Sequence, residues 1–288
     1  MIGIFDSWFG WLQTLKYFRD TYPEYEYIFL ADQKNYPYWS KSQKEIKKYT
    51  FAGLNRLFNQ WAQIVIVACN TAAAYAIKER QKTYPEKKAL SITIPWIEKV
   101  INQAEEYKNI AVLATQGTLN SGIYYSLYHA LWWKNNTSLD IIVAPDLVDI
   151  VEKWVTDKAF RLKTLAPYIQ KIEKAQADCL ILWCTHFPVL QKEIQSLYKW
   201  DIIDPSYEAA KQLKSYLSRH PDISQKLSKK QNTHIFTTWD VKEFRNIGED
   251  IMPLTKIQVE KVHIPVERIS YASIKQKVSS LFSKRENK

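Results

Sequence analysis

Two cysteines carry the strongest chemical signal in this chain. Cys69 ends the apolar run Gln63-Ile64-Val65-Ile66-Val67-Ala68, and Cys184 ends Asp178-Cys179-Leu180-Ile181-Leu182-Trp183. They stand 115 positions apart, and each is followed by residues able to open a helix: Asn70-Thr71 after the first, Thr185-His186 after the second. A thiol at a strand end with a helix start behind it is placed to exchange protons, because its free pKa near 8.5 falls close to neutrality and a helix N-terminus or a cationic histidine lowers it. Two such thiols facing one carbon could remove a proton from one face and return one to the other, which no single side chain can reach. Cys179 has neither feature and reads as a small core residue.

The surrounding pattern supplies the elements to position them. Short apolar runs (Ile2–Phe5, Tyr27–Leu30, Ile64–Ala68, Ile110–Ala114, Ile141–Val143, Cys179–Leu182 and Trp200–Ile203) alternate with amphipathic stretches (Leu12–Tyr22, Lys41–Trp61, Thr71–Thr83, Ser121–Leu131 and Pro167–Gln176). Continuous apolar strands alternating with helices predict parallel sheets covered on both faces, an α/β fold. The echo between the two cysteine segments, and a second one between Ile4-Phe5-Asp6-Ser7 and Val112-Leu113-Ala114-Thr115, predict two similar doubly wound halves facing each other across a central cleft. Ligands of such sheets bind beyond the carboxyl ends of the strands, where both cysteines fall.

Composition narrows the classes. Apolar content of 46% and charged content of 24% suit a globular protein of 288 residues, and no stretch is apolar enough to span a membrane. The chain enters a strand at Ile2 without a signal-type leader, so it is expected to be cytoplasmic. The net charge of +10 is mostly lysine, with eight arginines among 40 basic residues. That ratio argues against a dedicated nucleic-acid face and for solvated helix surfaces. Three cysteines and five dispersed histidines show no metal-ligand spacing, so no metal is expected. His129, His220, His234 and His263 read as ordinary surface or core histidines.

Tryptophan and glycine are out of balance. The chain has eleven tryptophans and six glycines, where its length predicts roughly 20 glycines. Several tryptophans stand in turns or at strand ends, as in Asp6-Ser7-Trp8-Phe9-Gly10-Trp11, Tyr36-Pro37-Tyr38-Trp39 and Trp183-Cys184. Such places favour glycine, which supplies positive φ and close backbone approach.

Collinear motifs carry a specific resemblance: Ile4-Phe5-Asp6-Ser7, the segment from Asp32 to Pro37-Tyr38-Trp39-Ser40-Lys41-Ser42, Ala68-Cys69-Asn70-Thr71-Ala72, Ala114-Thr115-Gln116-Gly117-Thr118 with Ser121-Gly122, Val151-Glu152, Cys184-Thr185-His186-Phe187-Pro188, and Phe236-Thr237-Thr238-Trp239-Asp240. With these, running in order from Ile2 to about His263, the chain resembles the glutamate racemases of the cofactor-independent aspartate/glutamate racemase superfamily. The resemblance implies interconversion of L- and D-glutamate without a cofactor, supplying D-glutamate for peptidoglycan. Cys69 and Cys184 would exchange the protons. Asp6, Ser7, Tyr38, Trp39, Asn70, Thr71, Thr118, Thr185 and His186 would form the substrate site, with Asp6, His186 and Glu152 polarising groups near the thiols. It further implies one domain from residues 1–94 and 206–288 and a second from 95–205, closing on glutamate. A homodimer is compatible with it, whereas nucleic acid and membrane are not expected partners. A racemase of the same fold acting on aspartate or another carboxylate, or, if the tryptophans are literal, an inactive interaction protein, are the competing readings; activity on L-aspartate alone, or salt-sensitive nucleic-acid binding indifferent to Cys69→Ala, would mark them.

The same resemblance places glycine at Trp8, Trp11, Trp39, Trp61, Trp154, Trp183 and Trp239, with Trp200 an eighth; Trp96, Trp132 and Trp133 have no assigned counterpart. Taken literally, seven tryptophans forced into glycine conformations at ~1–3 kcal/mol each would rival the whole stability of a domain, ~5–15 kcal/mol. The alternative is a gene in which UGA specifies glycine and was translated as tryptophan. Counted together, the eleven tryptophans and six glycines make seventeen, near the expected glycine number. The sequence therefore predicts UGA at these positions, and, for the literal chain, a pocket plugged by indole rings.

Overall fold

The computed structural model describes residues 1–8, 12–103, 107–123, 125–126, 128–129 and 136–265. Trp11, Trp132, Trp133, part of the helix expected over Ser121–Leu131, and residues 266–288 of the expected first domain lie outside them.

Two all-parallel sheets form the frame. The first has six strands in the order β10-β9-β2-β1-β3-β4, from β1 (Ile2–Asp6), β2 (Tyr27–Ala31), β3 (Ile64–Val67), β4 (Lys88–Ser91), β9 (Thr233–Thr237) and β10 (Gln258–Lys261). The second has four in the order β6-β5-β7-β8, from β5 (Asn109–Ala114), β6 (Ser138–Val143), β7 (Cys179–Trp183) and β8 (Asp201–Ile203). The central strands β1, β2, β3 and β7 are buried at every residue, as strands covered on both faces must be. Two buried clusters flank each sheet: Ile4, Leu15, Phe18 and Phe29 on one side of the first and Phe5, Leu30, Leu54 and Val67 on the other; Leu113, Leu165, Leu180 and Leu182 on one side of the second and Val112, Ile181, Trp96 and Trp183 on the other.

Helices start where the chemistry needs them. α1 (Leu12–Thr21) and α2 (Gln43–Asn59) follow β1 and β2, and α2 opens on a reciprocal capping box between Ser42 and Glu45. α3 (Asn70–Thr83) starts directly behind Cys69, whose sulfur is its N-cap acceptor. α4 (Thr93–Asn102) leads into the second sheet, and α5 (Gln116–Asn120) opens on the Thr115 hydroxyl, which accepts from the Thr118 N–H. The helix expected from Pro167 begins at Lys158 instead: Asp157 caps it by accepting from the N–H groups of Ala159 and Phe160, and Pro167 is carried inside it. Among the described residues no helix is long and apolar enough to cross a membrane.

Candidate active site

Parallel register brings the chemistry to one edge. Phe5 pairs with Val67 and Ala114 pairs with Trp183, so one or two residues further along Ser7 comes level with Cys69 and Thr115 with Cys184. These chain ends meet between the sheets around a small cavity lined by Ser7, Tyr36, Tyr38, Trp39, Cys69, Asn70, Thr71, Thr115, Thr118, Trp183, Cys184, Thr185 and His186.

Cys69 sits under the N-terminus of α3. Its sulfur accepts from the Ala72 N–H at 3.4 Å and lies 3.3 Å from the Ser7 hydroxyl. Burial pushes this thiol up to about 12, helped by the neighbouring Asp6 carboxyl and opposed by the hydrogen bonds from Ser7 and the helix start. Cys184 is likewise raised, mainly by burial. Its sulfur lies 3.3 Å from Nδ1 of His186, whose Nε2 is 3.2 Å from a Glu152 carboxylate oxygen, at ion-pair distance without hydrogen-bond alignment. Glu152 closes the helix Pro145–Glu152, so this element delivers the carboxylate to the far side of the imidazole.

The Asp6 carboxyl pushes both thiols upward. One carboxyl oxygen accepts from the N–H groups of Ser7 and Trp8 and from the Ser7 hydroxyl, and the Thr185 hydroxyl approaches it from the second sheet. The other oxygen is buried without a partner, and desolvation raises the group to about 7. Tyr38 is fully buried and donates its hydroxyl to Asp32 at 2.8 Å. Asp32 also accepts from the Asn35 amide and the Thr238 hydroxyl. A hydroxyl cluster joins the two halves: Thr71 Oγ1 of α3 lies 3.4 Å from Thr115 and 3.5 Å from Thr118, which are themselves 3.1 Å apart. Both polar atoms of the Asn70 amide are buried and unpartnered, free to bind a ligand.

A model of the Asp/Glu/hydantoin racemase family matches residues 13–213, and a glutamate racemase from Limosilactobacillus reuteri is 31% identical over 251 residues, covering 84% of this chain and 89% of its own. The chain belongs to the Asp/Glu/hydantoin racemase family. Among solved structures it is similar to a glutamate racemase isoform from Bacillus anthracis (TM-score 0.82, 26% identity, 93% of this chain and 98% of that one). A second is a glutamate racemase from Francisella tularensis solved in complex with D-glutamate (TM-score 0.79, 26% identity, 92% and 98%). Two parallel-sheet α/β domains are thus the family's architecture as well as this chain's.

The residues expected from the sequence converge on one place: Ser7, Tyr38, Trp39, Cys69, Asn70, Thr71, Thr118, Cys184, Thr185 and His186 line the cavity, with Asp6 bonded to Ser7 and Glu152 behind His186. Thr115 and Tyr36 line it too, beyond the residues that the resemblance implies, and the echo that pairs Ser7 with Thr115 points to the first of them. In the sequence Asp32 marks only the start of a motif. Cys179 is packed in the core of the second sheet.

The cavity itself is about 20 Å³, room for roughly one water. Trp39 and Trp183 occupy its walls, and Trp8 stacks on the lining residue Tyr36 at 4.3 Å and lies 5.7 Å from Trp239. A larger cavity of about 350 Å³ opens near the amino ends of β2 and β9, lined by residues such as Lys16, Arg19 and Tyr27, none of which lines the cavity that holds the thiols.

Proposed function

We propose that this protein is a cofactor-independent glutamate racemase that works by two-thiol proton transfer. The observation that carries the reading is the meeting, in one cavity, of two thiols from the two sheets, each with its own polar support: Ser7 and the α3 start for Cys69, His186 and Glu152 for Cys184.

In the proposed reaction the thiolate of one cysteine takes the α-proton of glutamate. The C–H electron pair moves onto the α-carbon and into its carboxylate, and the S–H of the other cysteine then protonates the opposite face. The second sulfur is left as the thiolate, so the enzyme stands ready for the reverse reaction or returns by exchange with water. A thiol held high by burial gives a strongly basic thiolate, suited to a weakly acidic carbon. Substrate binding opposes that burial, because the α-ammonium brings a cation towards Asp6 and the thiols. Backbone N–H groups behind Cys69, with the hydroxyls of Ser7, Thr71, Thr118 and Thr185 and the Asn70 amide, suit the two substrate carboxylates. Asp32 holds Tyr38 and acts through it.

The product would be D-glutamate for peptidoglycan, made in the cytoplasm by two domains, 1–94 with 206–288 and 95–205, that close on the substrate. Glutamate does not fit a cavity of about 20 Å³, so this reading applies to a chain without the indoles that fill it. Optical assay of L-glutamate and L-aspartate side by side tests it: turnover of glutamate is expected, and turnover of aspartate alone would refute it.

A further inference from the structure

Two helix ends hold the backbone in a conformation that glycine adopts and tryptophan resists. At the end of α2 the N–H of Trp61 donates to the Phe58 carbonyl (3.2 Å) and that of Ala62 to Leu57 (3.2 Å). At the end of Pro145–Glu152 the N–H of Trp154 donates to Val151 (3.1 Å) and that of Val155 to Ile150 (3.0 Å). This paired closure is the Schellman motif, whose turning residue is left-handed and usually glycine. The φ angle is +68° at Trp61 and +51° at Trp154. A bulky side chain there drives its β carbon against the following carbonyl oxygen. Gln176 occupies the same place behind Lys158–Lys174 with φ +50°, so a side chain is tolerated there at the cost of that strain, and the Trp154 indole N–H donates to Asp250 at 2.9 Å. The Trp61 indole is 77% exposed and has little packing to offset the strain.

Positions 39 and 183 are marked differently. Both indole N–H groups, like that of Trp96, are buried with no acceptor, although a buried indole normally finds one. The backbone at position 39 presses on α5 so closely that a β carbon on Gly117 would stand 2.7 Å from the Trp39 Cα. Trp183 is fully buried and edge-on to Trp96, 5.3 Å between rings. Both side chains fill the walls of the cavity that holds the thiols.

We propose that glycine stands at positions 39, 61, 154 and 183 in the protein as its own ribosomes make it, UGA being read as glycine, and that at 39 and 183 the missing indoles are the space an amino-acid substrate occupies. The residue assignment rests on backbone conformation and orphaned donors; only the identity of the substrate rests on the racemase reading.

Peptide mass spectrometry of the protein purified from its native host tests the assignment directly. Glycine masses at all four positions are expected, and a tryptophan mass at any of them overturns it. Calorimetric titration of L-glutamate into two recombinant versions tests the cavity. The version with Trp39→Gly, Trp61→Gly, Trp154→Gly and Trp183→Gly is expected to bind at least 100-fold more tightly than the tryptophan version. Equal affinity of two folded versions would overturn the cavity proposal. Glycine in the native peptides, with glutamate bound but not racemised, would sink the racemase reading and leave the residue assignment standing.

Discussion

Cys184 Sγ lies 3.3 Å from Nδ1 of His186, two residues further along the chain. The contact arises because the chain turns immediately after β7, folding the imidazole back over the sulfur while its other nitrogen faces Glu152. Cys69 is supported quite differently, by a serine hydroxyl and a helix N-terminus. The two thiols therefore sit in unlike environments, and the account predicts unlike responses to mutation of their partners.

His186→Asn, in a background with glycine at the four assigned positions, is expected to lower kcat/KM by roughly 10²-fold or more, the scale of a lost proton-transfer partner. The loss must be equal for both enantiomers, since their equilibrium constant is one. The α-deuterium isotope effect is the discriminating readout. It should change more in the direction in which Cys184 removes the proton, and equal changes in both directions would contradict the assignment of His186 to Cys184.

Cys69→Ala and Cys184→Ala should each reduce racemisation by at least about 10²–10⁴-fold, followed by circular dichroism of the substrate. Cys179→Ala is the control. Its sulfur is packed in the core of the second sheet, so the change should cost about 1 kcal/mol of stability and leave kcat unaltered. Comparable loss of turnover in all three variants would mean that the thiols at 69 and 184 have no special role.

Asp32→Ala removes the acceptor of the buried Tyr38 hydroxyl. Leaving that hydroxyl unpaired is expected to cost about 1–3 kcal/mol in thermal or denaturant unfolding and to raise KM more than it lowers kcat. Asp32→Asn keeps an acceptor oxygen and should recover most of both. An Asn variant as impaired as the Ala variant would show that charge, not the hydrogen bond, is what Asp32 supplies.

Burial makes Asp6 a pH-dependent liability. Its folded pKa of about 7 lies above the ordinary carboxylate value of 3.8, so between those limits the unfolded chain releases a proton that the folded chain keeps. Stability from this group is complete below about pH 4 and falls as pH rises to about 7, by up to a few kcal/mol. Asp204, raised to about 6 by burial at the start of Pro205–Arg219, acts with the same sign over a narrower range. Denaturant titrations of Asp6→Asn should show a shallower fall over this interval than the parent, and parallel curves would remove Asp6 as the cause.

The site was more legible in the sequence than the sheet edges were. Cys69 and Cys184 announce themselves because a fully buried parallel strand is a continuous apolar run, and its end is visible as the first polar or small residue. β4 and β10 are edge strands with one buried residue between them, so Lys88-Ala-Leu-Ser and Gln258-Val-Glu-Lys carry no such signal. In the sequence Pro167 looks like a helix start, and only the Asp157 cap places the start at Lys158. Asp32 carries no signal of its own in the sequence, because its role is set by Tyr38, Asn35 and Thr238 meeting in space. The tryptophans were legible as an anomaly of composition; that Trp61 and Trp154 sit at left-handed helix closures is visible in the backbone alone.

The most direct test of two-thiol racemisation is to incubate the four-glycine version with L-glutamate in deuterium oxide, with no added cofactor, following optical activity and α-deuterium together. Optical activity is expected to decay to zero, with deuterium entering the product enantiomer and the decay lost in both Cys69→Ala and Cys184→Ala. L-Glutamate that keeps its optical activity, or racemisation that survives either cysteine substitution, would contradict the account.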